Sequence, residues 1–244
     1  MSAGVGHMVR VPDASERYFG LRRAGSDWVG NPLLKPAKNT GLDSRVSFRR
    51  NSLLISSGFY FYAIRDFITV IPGKKVNPIA GIMNVNARSY ANAGARILGQ
   101  EVELVYALSR RLFINGNVSN VLGRHDALPA RGLPSGYLVE MPPLSSRASV
   151  RYDTGSYWFE LEGIAVARQH RVDNILQEAP TPGHGIANLR AGMTLRRLAL
   201  RIGLNNVFDR SYFEHLSYQR DPFRTGARVF EPGRNVYVNL SFRY

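Results

Sequence analysis

The chain closes on VFEPGRNVYVNLSFRY, Val229 to Tyr244, and this stretch decides the fold. From Val236 to Tyr244 every second residue is aliphatic or aromatic, and the residues between them are Tyr, Asn, Ser and Arg. Alternation with a period of two is typical of a β-strand that has one apolar face. Such a face either packs on the core of a soluble protein or faces membrane lipid, and the rest of the sequence has to distinguish the two.

The composition narrows the class of protein. The chain has 244 residues, and its 32 Lys and Arg against 18 Asp and Glu give a formal net charge of +14. That balance suggests nucleic acid or another anionic partner, but the basic residues are mostly single or paired arginines and form no lysine-rich run. Without cysteine, disulfides and thiolate zinc sites are excluded. No apolar run reaches the roughly 18 residues of a transmembrane helix, and residues 1–19 lack the pattern of a signal peptide.

Period-two alternation recurs along the chain and predicts about ten strands, each near the length that crosses an outer membrane at a tilt. The connections alternate between tight turns and long loops, as in bacterial outer-membrane barrels with short periplasmic turns and long extracellular loops. We therefore predict an all-β fold, a segment of an antiparallel transmembrane β-barrel whose last strand ends at the periplasmic rim. The predicted strands are residues 2–10, 39–49, 53–64, 92–108, 111–122, 144–153, 156–167, 185–196, 198–208 and 235–244.

Two motifs near the end of the chain resemble the last two strands of a TonB-dependent outer-membrane receptor. The first is Gly-x-x-Asn-x-Phe-Asp-x-x-Tyr and the second is Glu-Pro-Gly-Arg, followed by a final strand that ends on an aromatic residue. Further matches run in the family's order, among them RVPDASERYF (10–19) and LPSGYLVEMPPLSSRASVRY (133–152), and the receptors for copper are the most similar subgroup. The motif residues are Gly203, Asn206, Phe208, Asp209, Tyr212, Glu231, Pro232, Gly233 and Arg234.

The motif residues also have physical roles of their own. The Asp209 carboxylate can cap a turn, and Phe208 with Tyr212 can anchor the outer interface. Pro232 removes a ladder donor and Gly233 permits positive φ, so the loop stops abruptly before pairing resumes. Glu231 and Arg234 are expected to pair with each other or with a neighbouring strand. We predict structural roles for these residues rather than ligand contacts.

The resemblance implies an incomplete receptor. Family members have an N-terminal plug domain, a segment that engages TonB, and a barrel of about 22 strands around the plug. Residues 1–244 are predicted to be the C-terminal portion of such a barrel, without plug or signal peptide, and TonB contact would run only through the missing part. A truncated or split reading frame and a separate small barrel are the two explanations. Phe242 and Tyr244 would form the signal that the barrel assembly machinery recognises through strand addition.

The implied function is uptake of a metal chelate, such as a siderophore, copper or a similar large solute, by a receptor in the cell outer membrane. Outer-membrane lipid is then a partner and nucleic acid is not. A soluble basic β protein that binds nucleic acid or another anionic partner is the alternative, and it predicts salt-sensitive binding and solubility without detergent. We predict no enzyme and no cofactor, because Ser145 or Ser146 with a loop histidine has no supporting motif.

Two groups of polar residues are candidates for ligand contact. Four histidines fall in predicted outer loops, together with Met141, but none has tight metal-ligand spacing, so we predict solvated side chains and no metal site. Inward arginines would make a basic lumen suited to anionic chelates, or would pair with carboxylates on neighbouring strands, and we favour the pairing. The histidines are His125, His170, His184 and His215; the arginines are Arg147, Arg151, Arg190, Arg196 and Arg201; the carboxylates are Glu101, Glu103, Glu160 and Glu162.

Overall fold

The computed structural model describes residues 1–21, 28–73, 87–221 and 224–242. Strands account for most of these residues, and the helical elements are one short α-helix and one turn of 3₁₀-helix. The elements are β1 (Ser2–Arg10), α1 (Ala14–Tyr18), β2 (Gly20–Leu21), β3 (Trp28–Val29), β4 (Ala37–Arg50), β5 (Leu53–Gly73), β6 (Ala87–Ala107), β7 (Leu112–His125), the 3₁₀ turn (Pro129–Arg131), β8 (Gly136–Tyr137), β9 (Ser145–Asp153), β10 (Tyr157–Val166), β11 (His184–Leu195), β12 (Leu198–Asn205), β13 (Tyr218–Asp221), β14 (Arg224–Arg228) and β15 (Asn235–Phe242).

Ten long strands form one antiparallel path in the order β1-β4-β5-β6-β7-β9-β10-β11-β12-β15. Each strand on this path lies beside the next long strand of the chain, as in a meander, and short β2, β3 and β8 attach at the side. Among the described residues β1 and β15 are the two ends of the path and do not pair with each other. The all-β, antiparallel prediction is confirmed. The ten-stranded sheet is open at both edges, and we call it the wall.

The wall has one apolar face, and that face is exposed. Leu161 lies between Val150 and Leu189 in the register, and Ile202 lies opposite Val238. Leu161 is 53% exposed and Val238 is 65% exposed, although both sit in regular pairing. A soluble sheet would bury such a row against a second layer, whereas a membrane wall turns it to lipid. The exposed row therefore counts against the soluble basic β protein.

The opposite face is polar and corresponds to the inside of a barrel. Glu160 lies between Arg151 and Arg190 in the register, one residue away from Leu161. Because successive side chains of a strand point to opposite faces, the charged residues and the apolar rows cannot mix. Tyr60, opposite Gly99, and Tyr62, opposite Gly41, also lie on this polar face. Their rings therefore point away from lipid and do not belong to an aromatic belt at the membrane interface.

The predicted strand bounds agree with the structure except at one hairpin. β1 has the predicted bounds, and most others differ by one to three residues at an end. The residues from 65 to 73 and from 87 to 91 were predicted as loop, but they extend β5 and β6. The extension continues past a β-bulge between Ile64 and Phe67, where Asp66 has a φ of 56°. Its sequence, FITVI, is rich in β-branched residues, which favour strands.

The connections follow the predicted alternation. Tight turns join β4 to β5, β6 to β7, β9 to β10 and β11 to β12, and the long connections lie at the other end of the wall. In the turn after β9, Asp153 Oδ1 accepts a 2.8 Å hydrogen bond from the Gly155 nitrogen, and Gly155 has a φ of 90°. The first long loop contains α1, whose start is closed by a capping box between Asp13 and Glu16.

A small hydrophobic core lies under the long loops rather than within the wall. Ile71, Ala91 and Ala93 from the extended hairpin pack with Leu133, which is only 1% exposed, and with partly buried Leu128 and Ile175. This core explains why the hairpin continues beyond its predicted end. In the part of the chain that the structure describes, no helix has the length and hydropathy needed to span a bilayer.

Candidate functional site

The residues around Asn206 form a hydrogen-bonded junction between the ends of the last two long strands. Asn206 is 2% exposed and has a φ of 50°. Its backbone nitrogen donates to Asn188 Oδ1 on β11 at 2.9 Å. Its side-chain Nδ2 donates to the Arg210 carbonyl at 2.8 Å and to the Pro232 carbonyl at 3.4 Å, and its Oδ1 accepts from the Arg210 nitrogen at 2.9 Å. One amide side chain thus joins both ends of the last long loop.

The other motif residues complete the same junction. Asp209 Oδ1 accepts a 2.7 Å hydrogen bond from the Arg234 nitrogen, and the Glu231 nitrogen donates to the Tyr212 carbonyl at 2.9 Å. A Cβ on Gly233 would lie 2.7 Å from Asp209 Oδ1, so a larger residue would have to displace the Asp209 carboxylate. The positive φ expected for Gly233 is not observed, so that expectation was wrong. We call the residues 206–212 and 231–234 the rim junction, since they lie where β12 ends and β15 begins.

Gly203 and Phe208 lie outside these hydrogen bonds, and one expected ion pair is not formed. Gly203 lies within β12, directly opposite Tyr237, whose ring occupies the space of the missing side chain. Phe208 is 77% exposed, so it is free to contact lipid or solvent. The expected pairing of Glu231 with Arg234, or of either with a neighbouring strand, does not occur among the described residues, whose ion pairs include neither.

The residues of the predicted assembly signal are only partly described. Phe242 is the last residue of β15, lies opposite Leu198 on the apolar face, and is 66% exposed. Tyr244 lies outside the described residues. The edge of β15 that faces away from β12 has no paired strand among the described residues.

Charged residues on the polar face form one network across three strands. Arg190 donates to Glu160 at 2.8 Å and to Glu162 at 2.7 Å, and Asn188 also donates to Glu162 at 2.8 Å. Arg151 lies 3.8 Å from Glu160, with its guanidinium 4.1 Å from the Trp158 ring centroid. Arginine and carboxylate therefore neutralise each other along β9, β10 and β11, as the preferred sequence interpretation expected.

Not every candidate charge belongs to this network. Arg147 is at its margin, 3.7 Å from Glu162. Arg196 lies in the tight turn after β11 with a φ of 52°, and Arg201 lies on the polar face of β12. Neither they nor Glu101 and Glu103 take part in an ion pair within the described ranges.

The outer loops are held together by a buried acid–base pair. His215 Nε2 lies 3.1 Å from Glu178 Oε1, both side chains are 1% exposed, and His215 Nδ1 lies 3.2 Å from the Thr181 hydroxyl. The Glu178 carboxylate also accepts hydrogen bonds from the backbone nitrogens of Glu140 and Asp173, each at 2.8 Å. Three loops, 126–144, 167–183 and 206–234, therefore meet at Glu178, and we call this cluster the loop knot.

The two carboxyl groups of the loop knot have opposite pKa shifts. Burial by itself raises the pKa of Glu178, but the hydrogen bonds from His215 and from the two backbone nitrogens outweigh it and hold the pKa below 4.5. Burial raises the pKa of Asp173 above its ordinary value, and hydrogen bonds from the nitrogens of Leu176 and Ile175 offset this only in part. The folded protein therefore favours the ionised form of Glu178 and the protonated form of Asp173.

The histidines were predicted to be solvated, and this was wrong for three of the four. His125 is 4% exposed, His184 is 9% exposed and His215 is 4% exposed, because the long loops pack on one another and on the ends of the strands. His170 is exposed. The Met141 carbonyl accepts from the Gln169 side chain at 2.7 Å. Within the described part of the chain no three His, Asp or Glu side chains gather into a metal-binding cluster.

Sequence reasoning missed the loop knot entirely. Glu178, Thr181 and His215 lie in irregular segments, and no spacing connects residues that are 34 to 37 positions apart. It also missed the pairing of lumenal glycines with aromatic rings, in which a Cβ on Gly192 would lie 2.5 Å from the Trp158 ring. Period-two counting from strand to strand was the one signal that would have found those pairs.

A family model for the TonB-dependent receptor-like β-barrel matches residues 2–207. The chain belongs to the TonB-dependent receptor β-barrel family. Proteins of this family are outer-membrane transport receptors and not enzymes. The match ends within the rim junction, so β15 lies beyond it and is assigned by structure.

Solved structures of other receptors have the same fold as this family member. The structure titled "Copper transporter OprC" is 26% identical, with a TM-score of 0.78 over 98% of this chain and 37% of that chain. A mutant of the ferric enterobactin receptor PfeA from Pseudomonas aeruginosa is 17% identical, with a TM-score of 0.70 over 98% and 37%. The siderophore receptor PirA from the same organism is 18% identical, with a TM-score of 0.65 over 98% and 38%.

This family member spans little more than a third of the length of the structures it resembles. Among curated proteins, no sequence matches it significantly.

Proposed function

We propose that the chain forms part of the barrel of an outer-membrane TonB-dependent receptor that takes up a metal chelate, such as a siderophore, copper or a similar large solute. The observation that carries the proposal is the two-faced wall, with exposed apolar rows on one face and the Arg–Glu network on the other. The similarity to structures titled as a copper transporter and as siderophore receptors supports the solute class.

The ten long strands make up the C-terminal portion of a larger barrel in this proposal. Every residue of β1 and of β15 is exposed, on both faces, and each strand has one unpaired edge among the described residues. Unpaired backbone groups are costly in lipid, so membrane barrels close. Further strands are therefore required between β15 and β1, and about 22 in total would match the family's barrels.

The polar face provides the path of the solute and the contact with the plug domain. Arg147, Arg151 and Arg190 are paired with carboxylates there, whereas Arg201, Glu101 and Glu103 make no ion pair among the described residues, so the face offers both paired and unpaired charges to a solute. TonB itself acts through parts of the receptor outside these strands.

Assembly would begin at the last strand. In the sequence Phe242 and Tyr244 complete the apolar alternation of the last strand, and the barrel assembly machinery would recognise them by adding a strand to the free edge. Phe242→Ser combined with Tyr244→Ser should lower the amount of chain in the outer membrane, while Tyr157→Ser, also at the periplasmic end, should have little effect. Equal amounts of the wild-type chain, the double variant and the Tyr157→Ser variant in the outer membrane would contradict a role in assembly.

Membrane fractionation and uptake test the main proposal. The chain, expressed in the reading frame in which it occurs, should fractionate with the outer membrane and require detergent for extraction. Cells should take up a labelled metal chelate more slowly when the gene is deleted. A chain that is soluble without detergent and binds nucleic acid in a salt-sensitive manner would overturn the proposal in favour of the soluble basic β protein.

A further inference from the structure

One buried nitrogen near the loop knot lacks a partner. His184 is the first residue of β11, and its side chain is 4% exposed. Its Nε2 is buried and makes no hydrogen bond. The nearest acidic atom is Glu214 Oε1, at 3.4 Å, outside hydrogen-bonding geometry. A buried polar atom without a partner costs free energy, so a water or a ligand that contacts His184 Nε2 would be stabilising.

The neighbouring His215–Glu178 pair differs from His184 and Glu214 in having all its hydrogen-bonding partners. His215 follows Glu214 in the chain, and both of its ring nitrogens are within hydrogen-bonding distance of a partner, Glu178 and Thr181. Both oxygens of Glu178 are also used. The His215–Glu178 pair is therefore sealed and structural, whereas the His184–Glu214 pair is open.

The histidine ring is fixed and the carboxylate is accessible. The Tyr212 ring lies 4.4 Å from the His184 ring, at an interplanar angle of 31°, which restricts rotation of the imidazole. The Glu214 side chain is 44% exposed, and within the described ranges its carboxylate accepts no hydrogen bond. Beside Glu214 a cleft of about 450 Å³ opens, lined by Pro142, Ser145, Val166, Leu216 and Ser217. Val166 is the cross-strand partner of His184.

The spacing of the two donors fits a metal ion. An ion bound at about 2.0 to 2.1 Å from an imidazole nitrogen and a carboxylate oxygen holds the two donors about 3.0 to 3.4 Å apart. We propose that His184 Nε2 and Glu214 Oε1 form an open binding site for a divalent first-row transition-metal ion. Imidazole with carboxylate suits Cu²⁺, Zn²⁺ and Ni²⁺ better than Mg²⁺ or Ca²⁺.

The site has two protein donors, and its remaining coordination positions are open to ligands that are not part of the protein. Within the described part of the chain no third His, Asp or Glu completes it, so water or a donor of a bound chelate in the cleft supplies the rest. Such a site releases its ion more readily than a closed one of four protein ligands. The idea that the transported solute binds at this site during uptake rests on the proposed function, whereas metal binding itself does not.

Metal titration of the full chain in detergent tests the site. Wild type, His184→Gln, Glu214→Gln and the exposed-histidine control His170→Gln are titrated calorimetrically with Cu²⁺, Zn²⁺ and Mg²⁺ chloride. Circular dichroism and heat-modifiable electrophoresis confirm that each variant is folded. Cu²⁺ bound to wild type should show the electron paramagnetic resonance splitting of one imidazole nitrogen.

We expect one Cu²⁺ or Zn²⁺ per wild-type chain, weakened by about tenfold or more in His184→Gln and in Glu214→Gln, because even loss of an outer-shell partner costs this much. His170→Gln should bind as wild type does, and Mg²⁺ should not bind. If His184→Gln fails to fold, the half-exposed Glu214→Gln carries the test alone. Wild-type affinity in folded Glu214→Gln, or an imidazole signal that depends on His170, would overturn the proposal. Metal binding without uptake would refute only the proposed function.

Discussion

Asp209 Oδ1 accepts a hydrogen bond of 2.7 Å from the backbone nitrogen of Arg234, so the end of β12 is tied directly to the start of β15. The last long loop leaves and returns at this contact. Asn206 stabilises the same contact, because its side chain donates hydrogen bonds to carbonyls at the start and at the end of the loop, those of Arg210 and Pro232. The motif spacing in the sequence is therefore the spacing of a structural junction that positions the last strand.

The first prediction concerns Asn206. Asn206→Ala should lower the free energy of unfolding by about 2 to 3 kcal/mol, because it leaves buried backbone groups without partners and places alanine at a positive φ. Asn206→Gly loses the same hydrogen bonds but tolerates the conformation, so it should be less harmful by about 1 kcal/mol. Urea unfolding in detergent, followed by circular dichroism, measures both. Equal losses for the two variants would show that backbone conformation contributes nothing.

The second prediction concerns the glycines beneath aromatic rings. A Cβ at Gly203 would overlap the Tyr237 ring, so Gly203→Ala should cost about 1 to 3 kcal/mol through overpacking. Gly58 lies on the same polar face, but its nearest atom is 4.0 Å from such a Cβ. Gly58→Ala is thus the matched control and should change the urea midpoint little. A similar loss at both positions would mean that strand flexibility, rather than ring contact, requires glycine.

The third prediction concerns the Arg–Glu network. Arg190→Met removes the main partner of Glu162, whose side chain is only 7% exposed, and should destabilise the barrel wall by about 2 kcal/mol or more. Adding Glu162→Gln should restore part of the loss, since the uncompensated charge is then gone. Arg201→Met, on the same face and without an ion pair among the described residues, is the control. A double-mutant cycle on urea midpoints measures the coupling, and additive losses would contradict it.

The fourth prediction is a pH dependence of the loop knot. The folded pKa of Glu178 lies below its unfolded value, so its contribution to stability is fully present above about pH 4.5 and is lost as the pH falls through the lower folded value. Asp173, with a raised pKa, acts in the opposite sense. Limited proteolysis of the outer loops should therefore accelerate in acid.

Matched variants separate the two carboxyl groups. Glu178→Gln should make the loops more susceptible at neutral pH and remove most of the acid response, whereas Asp173→Asn should leave that response in place or increase it. An acid response that survives Glu178→Gln would assign it to other groups.

The sequence by itself determined the wall. Apolar rows such as Val236 to Phe242 determined the strands and their lipid face, and the alternation of tight turns with long loops determined the order and direction of pairing. These features are local. A period of two depends only on neighbouring residues, and a turn residue such as Gly155 determines the backbone conformation at its own position. For the same reason the two motifs identified the family before any geometry was known.

Only the tertiary structure decided which residues meet at the outer rim. The extension of β5 and β6, the burial of Glu178 with His215, and the unpartnered nitrogen of His184 all depend on loops packing on one another. Those contacts join residues that are far apart in irregular segments, where side-chain direction follows no period. Burial then converts histidines that sequence alone predicts as solvated into a structural pair and an open site, because desolvation makes each buried polar group depend on its nearest partner.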